Sequence, residues 1–141
     1  MKVEKHSRVR SVITELDGYG LENGGREETS SEYTASYEYR GGVARLEYTE
    51  QTEGGKVSTT VIARSDHVIV ERRGAVSSRF DFREGVTDRS LYTVSPYSFD
   101  AEITPKRVEV SLDENGGRID LRYRMNIGGA EKSVRMSIWI S

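Results

Sequence analysis

"RIDLRYRMNIGGAEKSVRMSIWI", residues 118–140, alternates apolar and polar side chains on both sides of a Gly-Gly pair. Ile119, Leu121, Tyr123, Met125 and Ile127 fall on one face of an extended segment, and Arg118, Asp120, Arg122, Arg124 and Asn126 on the other. After the pair, Val134, Met136, Ile138 and Ile140 repeat the pattern. A period of two is the geometry of a β-strand with one face to bury. Glycine adopts the positive φ of a tight turn at no steric cost, so Gly128-Gly129 marks the tip of an antiparallel hairpin.

The same punctuation recurs at Gly24-Gly25, Gly41-Gly42, Gly54-Gly55 and Gly116-Gly117, and these pairs hold most of the 14 glycines, which marks a β-meander. Alternation appears again at Val76, Phe80 and Phe82 and at Val57, Val61 and Ala63. Further strands are expected near 7–15, 33–40, 43–50, 67–73, 90–95, 98–103 and 107–112, for eight to ten in all. "LDGYGLENGGREE", residues 16–28, reads as the one long irregular connection. No helical apolar stripe is present anywhere in the chain. Short strands with one apolar face must close or stack, and tight hairpins between sequential neighbours favour a closed or nearly closed up-and-down barrel.

The 141 residues suffice for one domain, 1–141, with a core that needs no covalent staple. Cysteine is absent, which excludes disulfides, thiolate metal sites and a catalytic thiol, and favours a reducing compartment. No segment resembles a signal peptide or a membrane span, so a cytoplasmic protein is expected. The net charge is −2, from 21 basic and 23 acidic residues interleaved along the chain, and this argues against nucleic-acid binding.

Screening for chemistry leaves little. His6 and His67 are far apart, and no serine-hydrolase or zinc-hydrolase motif accompanies them. "GGKVST", residues 54–59, lacks the leading glycine and following helix of a phosphate loop, and "LDENGG", residues 112–117, lacks the ligand spacing of a calcium loop. Both read as turns. Carboxylates such as Asp81, Glu109 and Asp120 fall on the polar register, where no desolvation raises their pKa for acid catalysis. The expectation is a protein with no enzymatic activity, no cofactor and no metal.

The inward register carries more polarity than a dry core needs. Tyr33, Tyr37, Tyr39, Tyr48 and Tyr123 share it with Thr59, Ser78 and Arg72, and either Tyr92 or Thr93 joins them according to how 90–95 is phased. Tyrosines, hydroxyls and one arginine suit a cavity for a small amphipathic ligand, with Arg72 as anchor for a carboxylate head group. The expected ligand-binding set is therefore Arg72, Tyr33, Tyr37, Tyr39, Tyr48, Thr59, Ser78 and Tyr123. The alternative is a barrel filled by its own side chains, a structural or interaction module acting through its outer surface, as a monomer or a homodimer. Trp139 lies on the outward register.

"YTEQTEGGKVSTTVIA", "VERRGAVSSRFDFREG", "YTVSPYSFDAEIT" and "LDENGGRIDLRYRMNIGG" occur in that order, and with them the chain resembles the YwiB-like bacterial proteins, a domain of unknown function. The resemblance spans most of the chain and is strongest over residues 46–129. Its most specific pieces are Arg72-x-Gly74-Ala75, Phe82-x-x-Gly85, Tyr92-Thr93-x-Ser95-Pro96-Tyr97 and Gly117-x-Ile119. It implies a calycin-like barrel, akin to lipocalins and fatty-acid-binding proteins, and it carries over no activity or catalytic residue. Ligand binding follows only by analogy of fold. Lipocalins usually have a G-x-W motif on the first strand, whereas the one tryptophan here is Trp139, which counts against a lipocalin-specific entrance.

Overall fold

Segments that alternate throughout have one apolar face each to bury, and the chain resolves this by closing a single sheet on itself. The computed structural model describes residues 1–141 apart from Gly18, Gly20 and Leu21 and the side chains of Glu22 and Asn23. Ten strands run in chain order: β1 (Val3–Leu16), β2 (Glu22–Arg40), β3 (Val43–Thr52), β4 (Gly55–Arg64), β5 (His67–Gly74), β6 (Val76–Phe82), β7 (Asp88–Val94), β8 (Tyr97–Asp113), β9 (Gly116–Ile127) and β10 (Ala130–Ile140). Each pairs antiparallel with its sequence neighbour and β1 pairs with β10, so the up-and-down barrel is closed, as expected. No helix among the described residues is long and apolar enough to cross a membrane.

Several boundaries differ from the expectation. Residues 98–103 and 107–112 form one strand, β8, bent by a bulge where the register shifts between Pro105 and Arg107. A proline that donates no ladder hydrogen bond reads as an interruption, yet a bulge accommodates it without ending the strand. Strand β2 begins at Glu22, so most of the stretch read as a connection is sheet, and Gly24-Gly25 lies inside it; the part of that reading on Gly18, Gly20 and Leu21 lies outside the described residues. Gly41-Gly42 and Gly128-Gly129 do form the hairpin tips, with φ of 59° and 77° in the first and 58° and 92° in the second. Gly116-Gly117 instead follows the turn at Glu114-Asn115, and its glycines serve close approach: a Cβ on Gly117 would sit 2.0 Å from the Ser111 carbonyl oxygen. The phasing of 90–95 resolves with Tyr92 facing in.

The barrel has two unlike ends. At one, beside the turns at Gly41-Gly42 and Glu114-Asn115, Tyr37, Leu46, Val68, Ile119 and Leu121 are buried and in mutual contact, with Ala44 and Ala63 filling the narrow places. At the other, beside the turns at Gly54, Ala75, Pro96 and Gly128-Gly129, the interior is not filled. The β2–β3 ladder also stops early, running only from Ser36↔Glu47 to Arg40↔Val43, so the upper part of β2 pairs with β1 alone. The β6–β7 ladder is shorter still, with pairs at Val76↔Val94 and Ser77↔Thr93, and below it the Asp88 carboxylate accepts the Asp81 N–H at 2.8 Å in place of a backbone partner.

Candidate functional site

The open half of the barrel encloses a cavity of about 280 Å³. One wall is apolar, with Val9, Ile13, Met125, Ile127 and Met136 presented by β1, β9 and β10. The facing wall is polar because of register. Tyr48 lies opposite Thr59, Thr59 opposite Arg72, and Arg72 opposite Ser78, which makes an in-register row across β3, β4, β5 and β6. Each of these residues occupies the inward parity of its strand, so the same alternation that buries Leu46, Val61 and Phe80 brings them inside.

Glu50 completes the row. It continues the parity of Ala44, Leu46 and Tyr48 into the cavity, where its carboxylate accepts hydrogen bonds from Arg72 Nε at 3.0 Å and from the Thr59 hydroxyl. The side chains of Arg72 and Glu50 are 25% and 20% exposed, so the pair is largely withdrawn from water and electrically neutral as a unit. The Tyr33 ring stacks on Tyr48, centroids 4.3 Å apart and planes 22° from parallel, at the place where the β2–β3 backbone ladder has ended. Tyr123 packs edge-on to Phe82 at 4.9 Å. Burial pushes the Tyr33, Tyr48 and Tyr123 hydroxyls above the ordinary tyrosine range; the Glu50 carboxylate adds to this at Tyr48, and Arg72 works against it at Tyr123. All three hydroxyls therefore stay protonated at neutral pH and can donate as well as accept.

Of the residues predicted as ligand-binding, Arg72, Tyr33, Tyr48, Thr59, Ser78 and Tyr123 line this one cavity. Tyr37 and Tyr39 do not. Tyr37 lies in the filled half, where its hydroxyl donates to the Asp113 carbonyl at 2.7 Å and burial pushes its pKa up to about 12. Tyr39 packs against the same core. The interior filled throughout by its own side chains, which the alternative reading requires, is found in that half alone. Sequence reasoning missed Glu50, although parity from Leu46 and Tyr48 was a sufficient signal. It also missed Thr29 and Ser31, which reach the cavity because β2 begins earlier than expected. His67 lies on the outer face with Nε2 3.2 Å from Asp81 Oδ1, away from the cavity.

The arrangement can do two things chemically. It offers a neutral cluster of hydroxyls and one ion pair to a polar group, and an apolar wall to the remainder of the same molecule. Because Glu50 already engages Arg72, a carboxylate arriving at the guanidinium would meet a partly neutralised partner and a like charge beside it.

Comparison with known proteins agrees with the fold and is silent on ligands. The family model described as "Domain of unknown function (DUF1934)" matches residues 17–138. The "Uncharacterized beta-barrel protein YwiB" of Bacillus subtilis (strain 168) is 29% identical over 124 residues, which cover 88% of this chain and 82% of the relative. The crystal structure of the ywiB protein from Bacillus subtilis superposes with a TM-score of 0.82 at 26% identity, covering 99% of this chain and 93% of that one. The resemblance read from the four quoted segments is thus borne out.

Proposed function

The chain belongs to the DUF1934 family, and from that premise we propose that it binds a small amphipathic molecule in the open half of its barrel, without catalysis. The observation that carries this reading is the Glu50–Arg72–Thr59 cluster facing into a cavity of about 280 Å³. An ion pair withdrawn from water is commonly no more stabilising than apolar residues of the same volume, so its presence in a barrel interior fits recognition better than packing. The cavity lies at the small end of the usual ligand-pocket range and corresponds to roughly nine water molecules at liquid density. The ligand is accordingly compact, or extends beyond the mouth. Its polar end is a neutral hydrogen-bonding group or a paired charge at Arg72 and Glu50, and its apolar part lies along Met125, Ile127 and Met136.

The absence of catalysis is part of the proposal: the ionisable side chains lining the cavity are Glu50, Arg72 and four tyrosines, of which burial raises the pKa of Tyr33, Tyr48 and Tyr123, a set that binds more readily than it transfers protons. A cytoplasmic location is proposed with it. The test is native mass spectrometry of the protein isolated gently from its own host. A stoichiometric small-molecule adduct that the doubly substituted Glu50→Gln, Arg72→Met protein fails to retain supports the reading. An unliganded mass, together with a thermal-shift screen in which no small molecule distinguishes the wild type from that variant, overturns it.

A further inference from the structure

On the outer face of the barrel, charges directly opposite one another on neighbouring strands are generally complementary. Glu38 faces Arg45, Glu71 faces Arg79, and Arg89 faces Glu102, with Arg89 Nε 2.9 Å from the Glu102 carboxylate. Strands β8, β9 and β10 break this rule. Arg107 lies opposite Arg122 and Arg122 opposite Arg135, so three arginines form one row across three strands. Arg124 stands two residues further along β9 on the same face, and the bulge at Lys106 adds a fifth exposed cation beside Arg107.

Neighbouring strands are about 5 Å apart and alternate residues about 7 Å, which places the four arginines in a patch of roughly 10 by 7 Å. Like charges directly opposite each other destabilise a sheet. Acidic residues do not fully compensate here. Arg107 is held by Glu109 at 2.7 Å, and Asp120 is engaged by Arg118 and by the Ser137 hydroxyl. Among the described residues no carboxylate pairs with Arg122, Arg124 or Arg135, and all three are exposed. Across the strands from Arg124 stand Thr104 and Ser133, and beyond Arg135 stands Val12, so the patch ends in uncharged side chains on those sides, while Glu109 and Asp120, opposite one another, border the row on the side of Arg118.

We propose that this face binds a compact oligophosphate, a molecule with two or more linked phosphate groups. Each guanidinium presents a planar fork that matches phosphate oxygens, and a patch of this size suits one small ion of clustered charge better than a track along a polymer. A single nucleic-acid strand would also want an aromatic platform for its bases. The one tryptophan on this face, Trp139, is covered by Arg8 and Arg118, whose guanidinium carbons lie 5.3 and 5.0 Å from the ring centroid. The site is on the opposite side of the sheet from the cavity and stands independently of the ligand reading.

The test is titration calorimetry of the full chain with sodium tripolyphosphate at low salt and again at physiological salt. Saturable one-to-one binding, weakened by the added salt, is expected, with at least about tenfold loss of affinity on Arg122→Gln and a smaller loss on Arg122→Lys, which keeps the charge without the fork. Because Arg122 is exposed, Arg122→Gln should fold, with a Tm no lower than the wild type in the absence of the anion; tripolyphosphate should then raise the Tm of the wild type only. No binding of tripolyphosphate, equal binding by Arg122→Gln, or tighter binding of polyglutamate or a single-stranded oligonucleotide would each overturn the assignment.

Discussion

The two halves of the barrel are made from the same ten strands, yet their inward positions carry opposite chemistry. In the closed half Leu46, Val68, Ile119 and Leu121 are 0–1% exposed and touch one another across the interior. In the open half the inward positions of β3, β4, β5 and β6 carry Tyr48, Thr59, Arg72 and Ser78 in one cross-strand row. Apolar burial contributes about 25 cal/mol per Å², so the closed half supplies most of the stability, and the open half gives up part of that contribution to hold polar groups away from water. The lesson is a division of labour along the barrel axis: β3, β4 and β5 each contribute a residue to the core at one end and a residue to the site at the other.

The largest test of this division compares truncations of similar size. Leu121→Ala removes packed atoms from the closed half and is expected to cost about 2–5 kcal/mol in urea unfolding. Met136→Ala removes atoms that already border the cavity, so it widens a space instead of creating one and should cost less than about 2 kcal/mol. Equal losses would mean that the open half is as tightly packed as the closed one. Next in size is the ion pair. Arg72→Met removes the cation from the Glu50 carboxylate, leaving it only neutral hydroxyl partners such as Thr59 and Tyr33, and should cost roughly 1.5–3 kcal/mol at neutral pH. Adding Glu50→Gln should recover most of that loss, and the double-mutant cycle measures the coupling directly.

The fold was legible because alternation admits little choice. In β9 one face carries Ile119, Leu121, Tyr123 and Met125 and the other three arginines, and a slip of one residue would exchange core for solvent. Tyr33, Tyr48, Thr59, Arg72 and Ser78 were legible as inward for the same reason. Glu50 has that parity too but is easily passed over, because a glutamate near a strand end ordinarily faces water; Thr59 and Arg72, the latter 22 residues away, hold it inside. Tyr37 and Tyr39 have the parity of Tyr33 but lie beyond the last cavity position, and parity fixes the face of a strand without fixing height along the axis. The arginine row was hidden for a further reason. Charges interleaved in sequence become neighbours only through cross-strand register, and on β8 that register is set by the bulge between Pro105 and Arg107.

A smaller effect separates the halves by titration. Burial raises the Tyr37 pKa from 10.0 to about 12 and raises those of Tyr48 and Tyr123 in the same direction. A folded-state pKa above the unfolded value means that folding favours the protonated form. The corresponding stability is therefore fully present below about pH 10 and is lost as the pH climbs through the folded-state values. Tyrosine ring 13C shifts followed by NMR should show these residues ionising later than free tyrosine, with unfolding setting in on the alkaline side. A ligand in the cavity should delay Tyr48 and Tyr123 further and leave Tyr37 unmoved. A ligand that moved all three alike would deny the separation of the two halves.

The smallest effect is the most specific, because it removes single oxygen atoms. Tyr37→Phe deletes the donor to the Asp113 carbonyl, and the loss of that hydrogen bond should cost about 0.5–1.5 kcal/mol whether or not ligand is present. Tyr48→Phe deletes a hydroxyl that has no hydrogen-bond partner among the described residues and borders the cavity, so the unliganded protein should lose no more than about 0.5 kcal/mol. Ligand stabilisation follows from affinity by mass action, so the second substitution should instead reduce the rise in Tm that saturating ligand produces, while Tyr37→Phe leaves that rise intact. If Tyr48→Phe destabilises the unliganded protein as much as Tyr37→Phe does, the Tyr48 hydroxyl is a structural bond of the barrel wall, and the polar row belongs to the architecture of the open half and not to recognition.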